Sequence, residues 1–114
     1  MESLEIEIDV GDASRCFSSG PVPAASLLLD CRTPQEQAMA RIAGSTLIPM
    51  QEIPARVAEL EAWREKQIVV HCHHGMRSLK VAQWLREQGF LQAQSMRGGI
   101  AAWSQEIDPS VPQY

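Results

Sequence analysis

The sequence has few cysteines, and their number is odd: Cys16, Cys31 and Cys72 lie far apart with no repeated spacing. A disulfide framework needs pairs, so that class of fold is excluded, and a cysteine that matters here is expected to be reactive rather than structural. No apolar run approaches the ~20 residues that span a bilayer. The opening Met1-Glu2-Ser3-Leu4-Glu5 has neither the basic start nor the apolar stretch of a signal peptide, so the cytosol is the expected location. Basic residues are outnumbered, 10 against 14 acidic, for a net charge of −4. That removes any general electrostatic reason to bind nucleic acid or an anionic membrane. There is no internal repeat, low-complexity tract or linker, and 114 residues suit one compact domain over 1–114. An apolar share of 45% with 21% charged residues is that of an ordinary globular chain.

What is present alternates between two patterns. Leu4 to Ile8 interleaves apolar and acidic residues, as a half-buried or edge strand does. A short helical stretch through Ala13 and Phe17 follows, closed by Ser18-Ser19-Gly20-Pro21. Leu27-Leu28-Leu29, Thr46-Leu47-Ile48 and Ile68-Val69-Val70 are apolar on both faces, as strands of a buried parallel sheet must be. Gln94-Ser95-Met96 adds a fifth strand. Between them, Thr33 and Glu36 form a capping box for a helix over Pro34 to Met39. Ile53, Val57, Leu60 and Trp63 make a helical stripe, and Leu79, Ala82, Trp84 and Leu85 make another that ends near Gly89. Strands alternating with helices predict an α/β domain, its sheet mainly parallel and flanked by helices on both faces.

The informative segment runs His71-Cys72-His73-His74-Gly75-Met76-Arg77-Ser78. An apolar strand delivers Cys72 at its carboxyl end, where open α/β sheets bind their ligands. A helix resumes after Arg77, so unpaired N–H groups and the positive end of its dipole point into the loop. If the loop curls, its successive N–H groups form an anion nest. Such a setting lowers a thiol well below its ordinary ~8.5 and makes the thiolate a nucleophile. Arg77 is the expected cation, with partial charge from His73 and His74. Three histidines beside a cysteine also suggest a metal. However, successive residues on a strand point to opposite faces, so His71 and Cys72 cannot share one ion. No second cluster completes a tetrahedral site.

Several motifs in order resemble the rhodanese-like domain family: Asp30-Cys31-Arg32 ending a strand, the loop from Cys72 to Arg77 between strand and helix, and Gly98-Gly99-Ile100-Ala101-Ala102-Trp103 near the end. The resemblance covers nearly the whole chain and implies a single rhodanese-type α/β domain with a mainly parallel, five-stranded sheet. It implies a sulfurtransferase with Cys72 as the persulfide-forming nucleophile and His73, His74, Gly75, Met76 and Arg77 lining the substrate loop. Thiosulfate or another sulfur donor would load Cys72. Cyanide, a small thiol or a sulfur-carrier or thioredoxin-like protein would unload it. No cofactor is implied, since the cysteine itself carries the sulfur. Asp30 and Arg32 match the family's buried polar pair and read as structural, and Trp103 reads as core.

The chain departs from the family pattern in two places. Before the third strand, Ala40-Arg41-Ile42-Ala43-Gly44-Ser45 keeps only Ile42 and Gly44, and His73 stands where many thiosulfate-using members have arginine. Two other readings compete. A Cdc25-like cysteine phosphatase needs one more residue between cysteine and arginine, and here that sixth position is Ser78. A non-catalytic interaction module of the same fold has no need of the cysteine. Cys31 reads as a small buried apolar residue, with a resolving disulfide to Cys72 as its alternative. The proline-punctuated segment from Asp108 to Tyr114 is expected to lie along the surface without a role.

Overall fold

A computed structural model describes residues 4–17 and 26–114. Five short strands form one sheet: β1 (Glu7–Ile8), β2 (Ser26–Asp30), β3 (Thr46–Leu47), β4 (Gln67–His71) and β5 (Ala93–Met96). Every pairing is parallel, in the order β1-β5-β4-β2-β3. The most apolar strands, β2 and β4, therefore sit inside, and the acidic β1 takes an edge. Only Glu7 and Ile8 of the expected first strand pair along β5, with the backbone of Ile6 and Ile8 bonded to Ser95 and Arg97.

The helices are α1 (Val10–Phe17), α2 (Pro34–Met39), α3 (Ile53–Arg56), α4 (Met76–Glu87) and α5 (Gly99–Glu106). Side-chain alternation along the strands divides the core into two layers. Leu29, Ile68, Val70 and Cys72 pack with Ile53, Leu60, Val81, Ala82 and Leu85 from α3, α4 and the turns between β3 and β4. Leu28, Val69 and Met96 pack on the other side with Val10, Ala13, Ile100 and Trp103 from α1 and α5. Both faces are covered, as the apolar runs require, and Trp103 is core. The residues expected to close α1, Ser18 to Pro21, lie outside the described residues.

Two local expectations change. The stripe from Ile53 to Trp63 is a single turn of α-helix between 3-10 segments (Met50–Glu52 and Val57–Trp63), and of its four apolar residues only Ile53 and Leu60 are fully buried. Pro54 at the start of α3 has no N–H to give, and 3-10 geometry does not carry a stripe of period 3.6. The capping box is present: Thr33 Oγ1 accepts from the Glu36 N–H, and the Glu36 carboxylate accepts from Thr33 N–H. The tail does more than lie along the surface. Val111 is buried in the second layer, its carbonyl accepts from Ser104 Oγ at 2.6 Å, and Tyr114 turns back to the carboxyl edge of the sheet. Among the described residues no helix is long and apolar enough to cross a membrane.

Candidate active site

β4 ends at His71, so Cys72 is the first residue beyond the sheet, and α4 begins at Met76. The short loop between them is held from above by α5. Gly98 and Gly99 have φ of 80° and 62°, the left-handed region that costs residues with a Cβ. That turn brings the first N–H groups of α5 onto the loop: Ile100 N–H donates to the Cys72 carbonyl (2.9 Å) and Ala101 N–H to that of His73 (3.1 Å). A Cβ on Gly99 would overlap both carbonyls. The Gly-Gly-x-x-x-Trp motif thus has a local reason: it clamps the loop that carries Cys72.

The Cys72 residue is 1% exposed. Its sulfur accepts from Gly75 N–H at 3.1 Å and from Ser78 N–H at 3.4 Å, with Ser78 Oγ also at 3.4 Å. Gly75, at φ 108°, turns its N–H inward. Ser78 Oγ is in turn 2.7 Å from Ser95 Oγ on β5, which fixes its orientation. The loop is the expected N–H nest, closed by a serine hydroxyl. Together with the neighbouring Cys31 thiol these groups lower the Cys72 thiol to about 4: Cys31 contributes most, burial opposes it, and Ser78 and Gly75 add the rest. This setting favours the thiolate form of Cys72.

Arg77 does not serve as the expected direct partner of that thiolate. Its guanidinium forms two bonds to Glu36, Nη1–Oε1 at 2.7 Å and Nη2–Oε2 at 2.8 Å. Glu36 also accepts from Tyr114 Oη at 2.7 Å. Arg77 first, then Tyr114 and Thr33, hold the Glu36 carboxyl far below its ordinary range against the opposing effect of burial. His73 stacks on Tyr114, ring centroids 3.9 Å apart and planes 9° from parallel, and on His74 at 3.9 Å. Burial first and then His74 push His73 down, so its ring is neutral at pH 7. His74 is exposed at the rim, and Met76, 78% exposed, points its thioether to solvent. Behind the loop, Asp30 and Arg32 are both fully buried and bidentate (2.9 Å and 2.9 Å). Arg32 donates further to the Ala40 carbonyl (2.7 Å) and Tyr114 Oη (2.9 Å).

A family model for the rhodanese-like domain matches residues 16–106. The chain belongs to the rhodanese-like domain family. It is 36% identical over 85 residues to a protein of Allochromatium vinosum named sulfurtransferase, covering 75% of this chain and 78% of that one. Similarity of 40% over 93 residues extends to the adenylyltransferase and sulfurtransferase MOCS3-2 of Zea mays, covering 77% of this chain and 19% of that protein. The chain likewise spans only 30% of the rhodanese-like/PpiC domain-containing protein 12 of Arabidopsis thaliana. Among solved structures, a rhodanese-related protein from Thermoplasma volcanium superposes with TM-score 0.78 at 31% identity, over 96% of this chain and all of that one. The human single-domain sulfurtransferase TSTD1 shares the fold, with TM-score 0.76 at 21% identity over 90% and 97% of the two chains.

Within this rhodanese-type frame, Cys72, Gly75 and the N–H of Ser78 converge on one sulfur, while His73, His74, Met76 and Arg77 form its rim. His71 does not join the loop: it is fully buried and faces the opposite layer, beside Asp30. Glu36, Ser78, Ser95 and Tyr114 were not singled out as site residues by sequence reasoning. Ser78 could have been, since a hydroxyl in the first turn of a helix after a cysteine loop faces the loop. Glu36 and Tyr114 reach the site across the fold and leave no local signal.

Proposed function

We propose that this domain is a sulfurtransferase that carries sulfane sulfur on Cys72. The Cys72 thiolate attacks the outer sulfur of thiosulfate, or of a similar donor. The S–S bond of thiosulfate breaks with its electron pair leaving on sulfite, and Cys72-S-S⁻ forms. Cyanide or a thiolate then attacks the outer sulfur, leaves as thiocyanate or a persulfide, and returns Cys72 as a thiolate. The observation that carries this reading is the arrangement of Gly75 N–H, Ser78 N–H and Ser78 Oγ around a buried sulfur at the start of α4. These fixed donors stabilise an anion on the Cys72 sulfur without reorganising.

The rim bears on the choice of donor. Arg77 is neutralised by Glu36 and His73 is uncharged, so neither offers a free cation to a dianion. The loop N–H groups and the helix terminus must meet that charge. Sulfur-carrier or thioredoxin-like proteins are candidate acceptors beside small thiols, and the fusion of similar domains to adenylyltransferases in Zea mays supports the first. The Arg77–Glu36 pair also speaks against phosphatase chemistry, in which the arginine must face the phosphate. Intact-mass spectrometry after thiosulfate treatment tests the proposal. The wild type is expected to gain one sulfur atom, and Cys72→Ser to gain none. A wild type that stays unmodified with every donor class would instead leave a non-catalytic binding module.

A further inference from the structure

Ser95 is a hydroxyl in an apolar place. It lies on β5 two residues after Ala93, so it faces the layer of Ile68, Val70 and Cys72, while the adjacent Met96 faces the other layer. The register sets it opposite Val70 of β4, and its N–H donates to the Ile6 carbonyl at 2.7 Å, so its backbone is pinned on both sides. The residue is 0% exposed. An alanine or valine would suit such a position, and a buried hydroxyl without partners is costly. Ser95 Oγ has two partners: Ser78 Oγ at 2.7 Å and the Gly75 carbonyl at 3.5 Å.

Ser78 Oγ in turn lies 3.4 Å from Cys72 Sγ. A sulfur, two hydroxyls and a carbonyl thus form one row, and the hydrogens along it can be counted. With Cys72 as a thiolate the row runs towards the sulfur: Ser95 donates to Ser78, Ser78 donates to Cys72, and the carbonyl is not needed. With Cys72 protonated there is one more hydrogen, and the row runs the other way: the thiol donates to Ser78, Ser78 to Ser95, and Ser95 to the Gly75 carbonyl. That last contact is long for a hydroxyl donor, and the same carbonyl already accepts from Leu79 N–H at 3.2 Å. The row therefore favours the charged sulfur. We propose that Ser95 is a positioning residue of this site: by donating to Ser78 Oγ it commits the Ser78 hydrogen to the Cys72 sulfur, and the two hydroxyls reverse together when the sulfur takes up a proton. The inference rests on the reading of Cys72 as the reacting thiolate. Hydroxyls in a row polarise one another, so Ser95 also strengthens a bond it does not itself make.

The test is the pH dependence of Cys72 alkylation by iodoacetamide, followed by mass spectrometry in the full chain, for wild type, Ser95→Ala, Ser78→Ala and the double variant. The charged and titratable groups around Cys72 are Cys31 and the Asp30–Arg32 pair after β2, Glu36 on α2, His71 on β4, His73 in the loop and Arg77 on α4, and none of them is altered. Ser78→Ala is expected to raise the midpoint by about one pH unit. Ser95→Ala is expected to raise it by about half a unit, which slows alkylation about threefold below the midpoint. In the Ser78→Ala background the Ser95→Ala change is expected to add nothing, because its effect passes through the Ser78 hydroxyl. A Ser95→Ala midpoint equal to wild type overturns the proposal. So does a Ser95→Ala shift that persists without the Ser78 hydroxyl, since packing would then explain it.

A measurement on the unaltered protein guards against an unfolded variant. Reversal of the row changes what each serine oxygen accepts, so the carbon NMR signals of Ser78 Cβ and Ser95 Cβ are both expected to titrate at the Cys72 midpoint. A Ser95 signal that does not move there overturns the role. Sulfur loading from thiosulfate, measured on the same samples, separates the two claims. Normal loading with an unmoved Ser95→Ala midpoint removes only the Ser95 role, whereas no loading in wild type beside the expected shifts removes only the transfer reading.

Discussion

His71 offers a quantitative check on the buried half of the site. Its side chain is fully buried on the face opposite Cys72, and among the described residues neither ring nitrogen makes a hydrogen bond of normal geometry. Burial pushes the imidazole from its ordinary 6.5 to about 4; the Asp30 charge opposes this and the Arg32 charge adds to it. Above pH 6.5 the ring is neutral in both the folded and unfolded chain, so it adds no pH dependence there. As pH falls below 6.5 the unfolded chain takes up a proton that the folded chain refuses until about 4, and stability is lost across that window. At ~1.4 kcal/mol per pH unit, the loss is about 2 kcal/mol by pH 5 and about 3 kcal/mol by pH 4.

His71→Leu removes the titration and fills a similar volume. Urea unfolding followed by tryptophan fluorescence at pH 7, 6 and 5 gives both stabilities. Glu36 and the other carboxylates titrate in both proteins and cancel in the difference. The variant is expected to be at least as stable as wild type at pH 7, because two unpaired buried nitrogens disappear. Its advantage is expected to grow by about 2 kcal/mol on going to pH 5. A difference that stays constant over that range refutes the assignment of His71 as a buried neutral residue.

Glu36→Gln keeps the capping box but frees the Arg77 charge at the rim. Its kcat/KM for thiosulfate is expected to rise about threefold or more at low ionic strength and to fall back with salt; an unchanged or lower value in a folded variant contradicts the role given to the pair. Gly99→Ala puts a methyl at φ 62° against the Cys72 and His73 carbonyls. It is expected to cost about 2 kcal/mol or more in urea unfolding and to abolish sulfur loading, whereas wild-type behaviour would show that α5 does not clamp the loop. Arg32→Met strands the buried Asp30 carboxylate and is expected to destabilise the domain by about 3–5 kcal/mol. Asp30→Leu combined with Arg32→Met is expected to recover most of that loss, and a double variant as unstable as the single one would argue that the pair does more than balance charge.

Much of the site was legible because it is local. The strand before Cys72, the helix after it and Gly75 between them lie within one short stretch, and the period of two along β4 places Cys72 and His71 in different layers. The capping box at Thr33 and Glu36 was equally readable, since both partners lie within one helical turn. What was not readable is the second use of Glu36. The same carboxylate that caps α2 receives Arg77 and Tyr114 from across the fold. Sequence order ranks Arg77 as the partner of Cys72 because they are close along the chain. The folded chain offers it a carboxylate instead, at two-point geometry a thiolate cannot match.

That diversion leaves neutral groups around the Cys72 sulfur. An arginine on the sulfur would lower its basicity but would also bring a full charge into the apolar layer. Backbone N–H groups and a serine hydroxyl are neutral groups around the Cys72 sulfur, and they meet its charge without placing a cation in the apolar layer. Asp30-Cys31-Arg32 then faces two ways. Asp30 and Arg32 brace the carboxyl edge of β2 on one side of the sheet, and Cys31, between them, turns to the other side, into the apolar layer that also holds Cys72. The alternation that makes a strand puts the ion pair and the thiol of one tripeptide in different layers.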